Sequence, residues 1–320
     1  MPVSRGRRSK KVPNRTATRR PDVAVRTPGG SGPMLRAGGS GYRPQRLSVD
    51  MEYIGLVVQN ANPRQIVTML MPLIWVDVTS SQGAPGNLCT QAAHTLRHAY
   101  DAVGLRSEIV TMELVVTRPD GGGTRYGTRT PRYHGDDLFQ GHCVLRLPDL
   151  GCVIDATAEQ FPELAGQRRG PLIALETEPL TGHGRPVQLV GQRGDLLVTY
   201  TTVPDPQYAA HAYGGPNAWP DHQETYRLNG LRIVSQLLAL LRLAPKAEAR
   251  TGGGIAPGLP TLLDLTADHE WKPETGHGDR WIGPTGKFLY LRDVVPAINS
   301  SEIPPAQAAP AGTGRPRLQK

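Results

Sequence analysis

The feature that most limits how this chain can fold is a predicted helix that carries a cysteine in its first turn. Apolar or small side chains recur there with a helical period, which predicts an amphipathic helix over residues 88–103, and they stand at positions 89, 92, 93, 96, 99, 100 and 103. Asn87 is a suitable N-cap, and Gly104 is suited to the position that ends a helix. Cys89 is therefore expected in the first turn of a helix that packs on a core.

Two interpretations of Cys89 follow from that position. Unpaired N–H groups and the positive end of the helix dipole lie at the start of a helix, and both favour a thiolate over a thiol. A thiolate at this place is a candidate nucleophile. The alternative is that Cys89 is one buried member of the apolar stripe, which is the usual role of a small cysteine on a helix face.

Two short apolar runs later in the chain predict a β-hairpin. Residues 144–147 and 152–156 are the predicted strands, and the segment 148–151, Pro-Asp-Leu-Gly, is typical of a turn. If only the first two residues of that segment form the loop, His142 faces Asp155 across the ladder. A carboxylate beside an imidazole holds the ring in one tautomer and stabilises its charged form.

The same hairpin separates the other cysteines from the polar pair. In that register Cys143 and Cys152 lie on the face opposite His142 and Asp155, away from the site. Each polar residue also has a plainer interpretation, His142 as a core or rim histidine and Asp155 as a cap at a strand end. The chain order Cys, His, Asp is nevertheless the order expected of a thiol nucleophile, its base and the group that orients the base.

The residues around these three positions resemble a known family. The chain reads Gly-Asn-Leu-Cys-Thr-Gln-Ala-Ala around Cys89, His-Cys-Val-Leu from His142, and Asp-Ala-Thr-Ala-Glu-Gln-Phe from Asp155. This arrangement is similar to the core of the transglutaminase-like superfamily, which is related in architecture to papain-like proteases, and its last segment is similar to a D-x-T-A-x-Q-F variant of bacterial members. The resemblance implies Cys89 as the nucleophile, His142 as the base and Asp155 as its orienter.

Two departures from the family pattern accompany this resemblance, which covers about a quarter of the chain. Val144 stands where the family usually has an aromatic residue after the histidine, so a different side chain is expected to pack over the site. Ala156 stands where the family usually has proline, a change that concerns only the strand end.

The resemblance implies a fold and a reaction. The expected fold is α+β, papain-like or transglutaminase-like, with the nucleophile helix packed on an antiparallel sheet, and the domain is expected over residues 49–300. The Cys89 thiolate would attack an amide or ester carbonyl of a peptide, protein or small substrate to give a thioester. Attack by water would make the protein a peptidase or deamidase, and attack by an amine would make it an acyltransferase. The sequence leaves both open.

The basic charge of the protein lies in its N-terminal arm. Residues 1–48 hold 12 Lys or Arg and one acid, Asp22, for a net charge of +11, and few large apolar groups. This composition predicts a disordered arm, as the Pro- and Ala-rich composition of 301–320 predicts a disordered tail. The arm could bind nucleic acid or an acidic partner, or it could be a solvated tail. The rival to an enzyme is thus a non-catalytic transglutaminase-like module, or a binder that works through this arm.

Further polar residues near the helix have weaker patterns. Gln82 precedes Cys89 at a spacing close to that of the oxyanion glutamine in papain-like enzymes. It is a weak candidate for that role, because a plain loop glutamine is the more common case and the backbone N–H of Cys89 is a better oxyanion donor. His94 and His98 are spaced as zinc ligands can be, yet both lie off the apolar stripe and are expected to face solvent. We predict no metal and no cofactor.

The composition excludes several other classes. No apolar run approaches the roughly 18 residues of a membrane span, and the basic N-terminus lacks the apolar core of a secretory signal. Three cysteines in 320 residues do not make a disulfide framework. The sequence therefore predicts a soluble cytoplasmic protein with no membrane partner.

Local patterns predict the remaining elements. Alternating or β-branched residues predict strands at 53–58, 107–117, 172–175, 187–190 and 196–203. Helical periodicity and caps predict helices from Asn62-Pro63 to about Trp75 and over 224–243. Residues 75–83 and 204–220 are predicted loops, 119–131 a Gly-rich flap near the site, and 271–291 a hairpin around Gly283-Pro284-Thr285-Gly286.

Overall fold

The computed structural model describes residues 35–37, 50–81, 88–128, 132–134, 138–165, 170–177, 180, 186–203, 220–243, 255–273 and 278–300. Within these ranges α-helices combine with a mostly antiparallel sheet, so the expected α+β class is confirmed. The predicted tail, 301–320, lies outside the described residues.

Seven α-helices are described. They are α1 Met51–Asn60, α2 Pro63–Gln65, α3 Met71–Ser81, α4 Cys89–Ala102, α5 Pro220–Leu243, α6 Gly258–Thr266 and α7 Leu291–Ser300. A π-helical segment, Ile66–Leu70, joins α2 to α3, and short 3₁₀ turns occur at Pro148–Leu150 and Ala158–Gln160.

Thirteen strands are described in chain order. They are β1 Leu35–Ala37, β2 Glu108–Thr117, β3 Gly123–Tyr126, β4 Arg132–His134, β5 Leu138–Gln140, β6 Cys143–Leu147, β7 Cys152–Asp155, β8 Leu172–Leu175, β9 Gln188–Arg193, β10 Leu196–Thr202, β11 Glu270–Trp271, β12 Arg280–Ile282 and β13 Phe288–Tyr290.

The main sheet has eight strands and is antiparallel except where β1 pairs with β3. Its hydrogen-bonded order is β1-β3-β2-β6-β7-β8, and β10 pairs with both β2 and β9. Leu172 of β8 lies very close to Gly191 of β9: a Cβ added to this glycine would stand 2.9 Å from the leucine side chain. The two ends of the sheet therefore approach each other, and the sheet curls around the side chains on its inner face.

Two hydrophobic cores occupy the two faces of this sheet. One core joins the helices to side chains of alternate strand residues, which include Ile109, Cys143, Leu145, Cys152 and Ile154. The other core fills the inner face with Met112, Leu114, Val144, Val153 and Tyr200. Because successive strand residues point to opposite faces, neighbouring residues of β6 and β7 belong to different cores.

The N-terminal part of the helical layer differs from the prediction. The strand predicted over 53–58 is wrong, because Ile54, Val57 and Val58 form the buried side of α1 at helical spacing. The predicted cap at Asn62 is confirmed: its side chain accepts from Gln65 N, and the Gln65 side chain accepts from Asn62 N. Helix α3 then continues to Ser81, so the loop predicted over residues 75–83 is wrong up to that residue, and 82–83 lie outside the described residues.

Helix α4 follows its prediction closely. It begins at Cys89 after Leu88, and all seven residues of the predicted apolar stripe are buried, as are Thr90 and Thr95. Gly104 adopts a φ of 74°, the left-handed conformation in which glycine ends a helix. The predicted N-cap, Asn87, lies outside the described residues.

Helix α5 covers a second side of α4, and this contact depends on one glycine. A Cβ on Gly230 would stand 2.9 Å from Thr95 O and from Ala99 N, so the two helix backbones approach closely there. The solvent-facing position predicted for His94 is therefore wrong: the residue is buried, and its ring stacks on Tyr226 with centroids 5.4 Å apart. His98 is half-buried at the same contact.

Several predicted strands and helices are confirmed, with two additions. Strands β2, β8, β9 and β10, helix α5 and the β12–β13 hairpin lie where the sequence placed them. Strand β3 lies inside the predicted flap 119–131, and β1 lies inside the predicted disordered arm, so residues 35–37 are paired with the sheet. The other residues of 1–48 lie outside the described ranges.

Candidate functional site

The hairpin that carries the site has a longer turn than predicted. Strand β6 pairs Leu145 with Ile154 and Leu147 with Cys152, because Pro148–Leu150 forms a 3₁₀ turn that Gly151 closes at a φ of 55°. The predicted two-residue loop, and with it the predicted pairing of His142 opposite Asp155, is wrong. A shift of two residues keeps every side chain on its predicted face, because the side-chain period of a strand is two.

His142 stands immediately before β6, at the end of the sheet. Its backbone carbonyl accepts a hydrogen bond from Met112 N at 2.9 Å, which ties it to β2. Its ring is only 2% exposed and contacts Phe161 edge-on, with centroids 5.2 Å apart. The imidazole thus packs against a side chain of the inner core, while the backbone of His142 is tied to β2.

Asp155 ends β7 and binds the imidazole directly. Its Oδ2 lies 2.7 Å from Nε2 of His142 and also accepts the hydroxyl of Tyr200 at 3.0 Å. Its Oδ1 accepts the backbone N–H of Thr157 at 3.0 Å and the Thr157 hydroxyl at 3.1 Å. These bonds orient the carboxylate, so Nε2 of His142 carries the proton that faces it and Nδ1 is left for another partner.

Cys89 completes the cluster from the other face of the sheet. It is the first residue of α4, is 4% exposed, and lies with its sulfur beside the His142 ring and the Cys143 thiol. Helix α4 packs on β6, so its first turn reaches the end of the strand where His142 stands. The structure therefore brings together all three residues that the sequence singled out.

The Cys143 position is a correction to the sequence analysis. Cys143 lies on the face opposite Asp155, as predicted, but that face is the one on which α4 packs. Its thiol therefore meets Cys89 instead of lying away from the site, and its sulfur is 3.9 Å from Thr111 Oγ1 on β2. Cys152 lies two strands from β2 in the helical core, where burial raises its pKa to about 11.

The charges of the cluster favour a thiolate beside an imidazolium. The hydrogen bond from Cys143 and the adjacent His142 ring hold the pKa of Cys89 well below its usual value, although burial opposes this. Burial would lower the pKa of His142, but the Asp155 carboxylate and Cys89 raise it to about 10. Burial likewise opposes the charge of Asp155, yet His142, Thr157 and Tyr200 lower its pKa. The three groups are stabilised together as ions.

Two residues of the cluster carried little signal in the sequence. Tyr200 lies in a predicted strand and is fully buried, and only the curl of the sheet brings its hydroxyl to Asp155. Thr157 stood in the D-x-T pattern, and its double hydrogen bond to Asp155 gives that spacing a physical reason. Gln82, the predicted oxyanion candidate, lies outside the described residues, so its role stays a prediction.

No family model, curated protein or solved structure matches this chain. Across the described ranges, no helix is both long and apolar enough to cross a membrane. The same ranges contain no group of three or more His, Cys, Asp or Glu arranged to hold a metal ion.

Proposed function

We propose that the protein is a cysteine-dependent acyl-transfer or amide-hydrolysing enzyme of transglutaminase-like type. In this proposal Cys89 is the nucleophile, His142 the general base and acid, and Asp155 the group that orients His142. The fold is then a papain-like or transglutaminase-like one, with α4 as the nucleophile helix on an antiparallel sheet. The substrate is a peptide, a protein or a small amide or ester.

The observation that carries the proposal is the contiguous series Cys89, His142, Asp155. Its His142–Asp155 hydrogen bond is 2.7 Å long, the Cys89 thiol lies beside the imidazole, and all three residues are buried. If His142 were only a core histidine, it would not need a thiol at a helix start on one side and an ionised carboxylate on the other. If Asp155 were only a cap at a strand end, its carboxylate would not need four donors. This arrangement supports Cys89 as the nucleophile, His142 as the base and Asp155 as the group that orients the base.

The chemistry follows from the proton that each atom holds. The Cys89 thiolate attacks a carbonyl carbon, and N–H groups in the first turn of α4 stabilise the negative oxygen that develops. His142, kept protonated beside Asp155, gives its proton to the leaving amine, which leaves a thioester on Cys89. The now neutral imidazole takes a proton from water or from an amine, and that second nucleophile releases the acyl group.

A thiol-labelling experiment tests the first step. Limiting iodoacetamide at neutral pH, followed by peptide mapping of the full chain, is expected to label Cys89 before Cys143 and Cys152. Peptide and amine libraries should then yield an acyl adduct on Cys89, which mass spectrometry detects and which Cys89→Ala abolishes. Labelling that favours either other cysteine, or turnover that survives Cys89→Ala, would contradict the proposal.

The same experiment distinguishes the proposed enzyme from the rival interpretation, a non-catalytic protein. An unreactive Cys89 without any adduct, together with salt-sensitive DNA binding that is lost when residues 1–48 are removed, would favour the non-catalytic module or the binder that works through its arm.

A further inference from the structure

Two thiols, not one, stand at the candidate site. Cys89 of α4 and Cys143 of β6 belong to the same buried core on the helical side of the sheet, their thiols are neighbours, and the residues are 4% and 2% exposed. Cys143 is fixed by strand pairing, since it lies opposite Thr111 of β2 and its sulfur is 3.9 Å from the Thr111 hydroxyl. The contact therefore joins the first turn of a helix to the first residue of a strand.

The two thiols are not equivalent. Cys89 has His142 and the start of α4 beside it, which favour its thiolate, whereas the Cys89 charge and burial raise the pKa of Cys143 well above its usual value. Cys143 is thus the proton donor of the pair. Cys152, opposite Leu147, does not share in this contact because it lies at the far end of the hairpin.

We infer that Cys89 and Cys143 form a peroxide-responsive pair, in which Cys143 is the resolving thiol that closes a disulfide onto Cys89. The inference concerns regulation of the proposed active site and rests on the proposed function only in using the same nucleophile. A disulfide at this place removes the nucleophile reversibly and protects it from irreversible oxidation.

The reaction needs a hydroperoxide as oxidant and a dithiol to reverse it. The Cys89 thiolate attacks the outer oxygen of the hydroperoxide, the O–O bond breaks, and a sulfenic acid forms. The departing alkoxide or hydroxide takes a proton from the His142 imidazolium and leaves as an alcohol or water. The Cys143 sulfur then attacks the sulfenic sulfur, the S–O bond breaks, and water leaves with the Cys143 proton. The disulfide so formed has an S–S length of about 2.05 Å.

The test uses the full chain, hydrogen peroxide and peptide mapping without reduction. Wild-type protein should yield the Cys89 and Cys143 peptides as one cross-linked species, lighter by two hydrogen atoms than the free pair. Iodoacetamide labelling of Cys89 should fall at least ~10-fold and return on adding dithiothreitol. This measurement needs no variant, so a folding defect cannot mimic the result.

Matched variants assign the resolving thiol. Cys152→Ala should retain the cross-link. Cys143→Ala should lose it and carry Cys89 on to the sulfinic acid, two oxygens heavier, which dithiothreitol does not reverse. A wild-type Cys89 that reaches the sulfinic acid as fast as in Cys143→Ala, or a cross-link to Cys152, would overturn the inference.

The two proposals fail in different ways. A Cys89 that alkylates first and forms an acyl adduct but never cross-links would overturn the thiol pair alone. A Cys89 that cross-links to Cys143 but yields no acyl adduct would uphold the pair and overturn the proposed function.

Discussion

At the scale of single residues, Asp155 decides the state of the candidate site. Its carboxylate accepts four hydrogen bonds, from His142, Tyr200 and, twice, Thr157, although the residue is almost wholly buried. A buried charge with so many donors stays ionised and makes a protonated imidazole more stable. The charge on His142 in turn favours the Cys89 thiolate, so a residue that never touches the thiol affects its reactivity.

The pH dependence of Cys89 alkylation should reveal this effect of His142 and Asp155 on the thiol. The pKa of Cys89 is lowered well below its usual value, so its thiolate persists to a lower pH than that of an ordinary cysteine; His142, with a pKa of about 10, stays protonated through neutrality. Rates of iodoacetamide labelling should therefore fall less steeply between about pH 8 and pH 6 than those of an ordinary thiol, which lose close to tenfold per unit. A tenfold slope at Cys89 across that interval would contradict the ion pair.

The substitution Asp155→Asn tests the same network by removing one charge. The amide oxygen would stay with the two Thr157 donors and the NH2 group would face Nε2. The imidazole then takes the wrong tautomer, and turnover should fall by roughly 10⁴-fold, as in the serine-protease triad. Before a substrate is known, the rate of Cys89 alkylation at pH 7 should fall by at least about tenfold.

A matched control lies in the same hairpin. Asp149 is 54% exposed and pairs only at the surface with Arg106, at 3.5 Å, so Asp149→Asn should leave the alkylation rate unchanged. Equal losses in Asp149→Asn and Asp155→Asn would mean that the carboxylate at 155 has no special part in the site.

At the scale of secondary structure, α4 links the site to the rest of the helical layer. Its first residue carries the thiol, one side packs on β6, and another side meets α5 at Gly230. Because the two backbones touch there, the position of Cys89 relative to His142 depends on a contact three turns away along α4.

Gly230→Ala should open this contact. The added Cβ would meet backbone atoms of Thr95 and Ala99 at 2.9 Å, so the helices must separate, at a cost of about 1–3 kcal/mol in the free energy of unfolding. Urea denaturation measures this loss, and a smaller selectivity for labelling Cys89 is expected with it.

Another helical glycine provides the comparison. An added Cβ at Gly55 of α1 has nothing within 4 Å, so Gly55→Ala should stabilise the protein by roughly 0.5–1 kcal/mol through helix propensity. If both variants behave alike, the close approach at Gly230 does not matter for stability.

At the scale of the whole molecule, the site lies where two hydrophobic cores meet. His142, Asp155 and Tyr200 belong to the inner face of the curled sheet, and Cys89 and Cys143 belong to the helical side. At the end of β6 groups from both faces can touch, whereas along the strand the sheet separates them. The candidate catalytic groups therefore come together only if both cores form.

Truncation should show how the N-terminal arm relates to these cores. Residues 1–34 carry little apolar surface, so removing them is expected to change the melting temperature by less than about 2 °C. Removing 1–48 also removes β1, a three-residue strand at the edge of the sheet that pairs with β3, and should lower the melting temperature by only a few degrees. A larger fall with the shorter truncation would mean that the arm packs on the domain.

The sequence by itself determined the local elements and the choice of chemical groups. The apolar period of α4, the glycine at 104, the N-cap at Asn62 and the two runs of the hairpin are statements about neighbouring residues, and the structure confirms them. The faces of His142 and Asp155 were also predictable, because alternation along a strand survives a change of turn length by two residues.

Only the tertiary structure decided which faces meet. Cys143 was placed on the correct side of its strand, yet its nearness to Cys89 depends on where α4 packs, and His94 is buried because α5 covers a side of α4 that looks polar in the sequence. Tyr200 reaches Asp155 across 45 residues of chain because the sheet curls. Local patterns fix the direction of a side chain within its own element, but the partner it meets is set by packing between elements that are distant in the sequence.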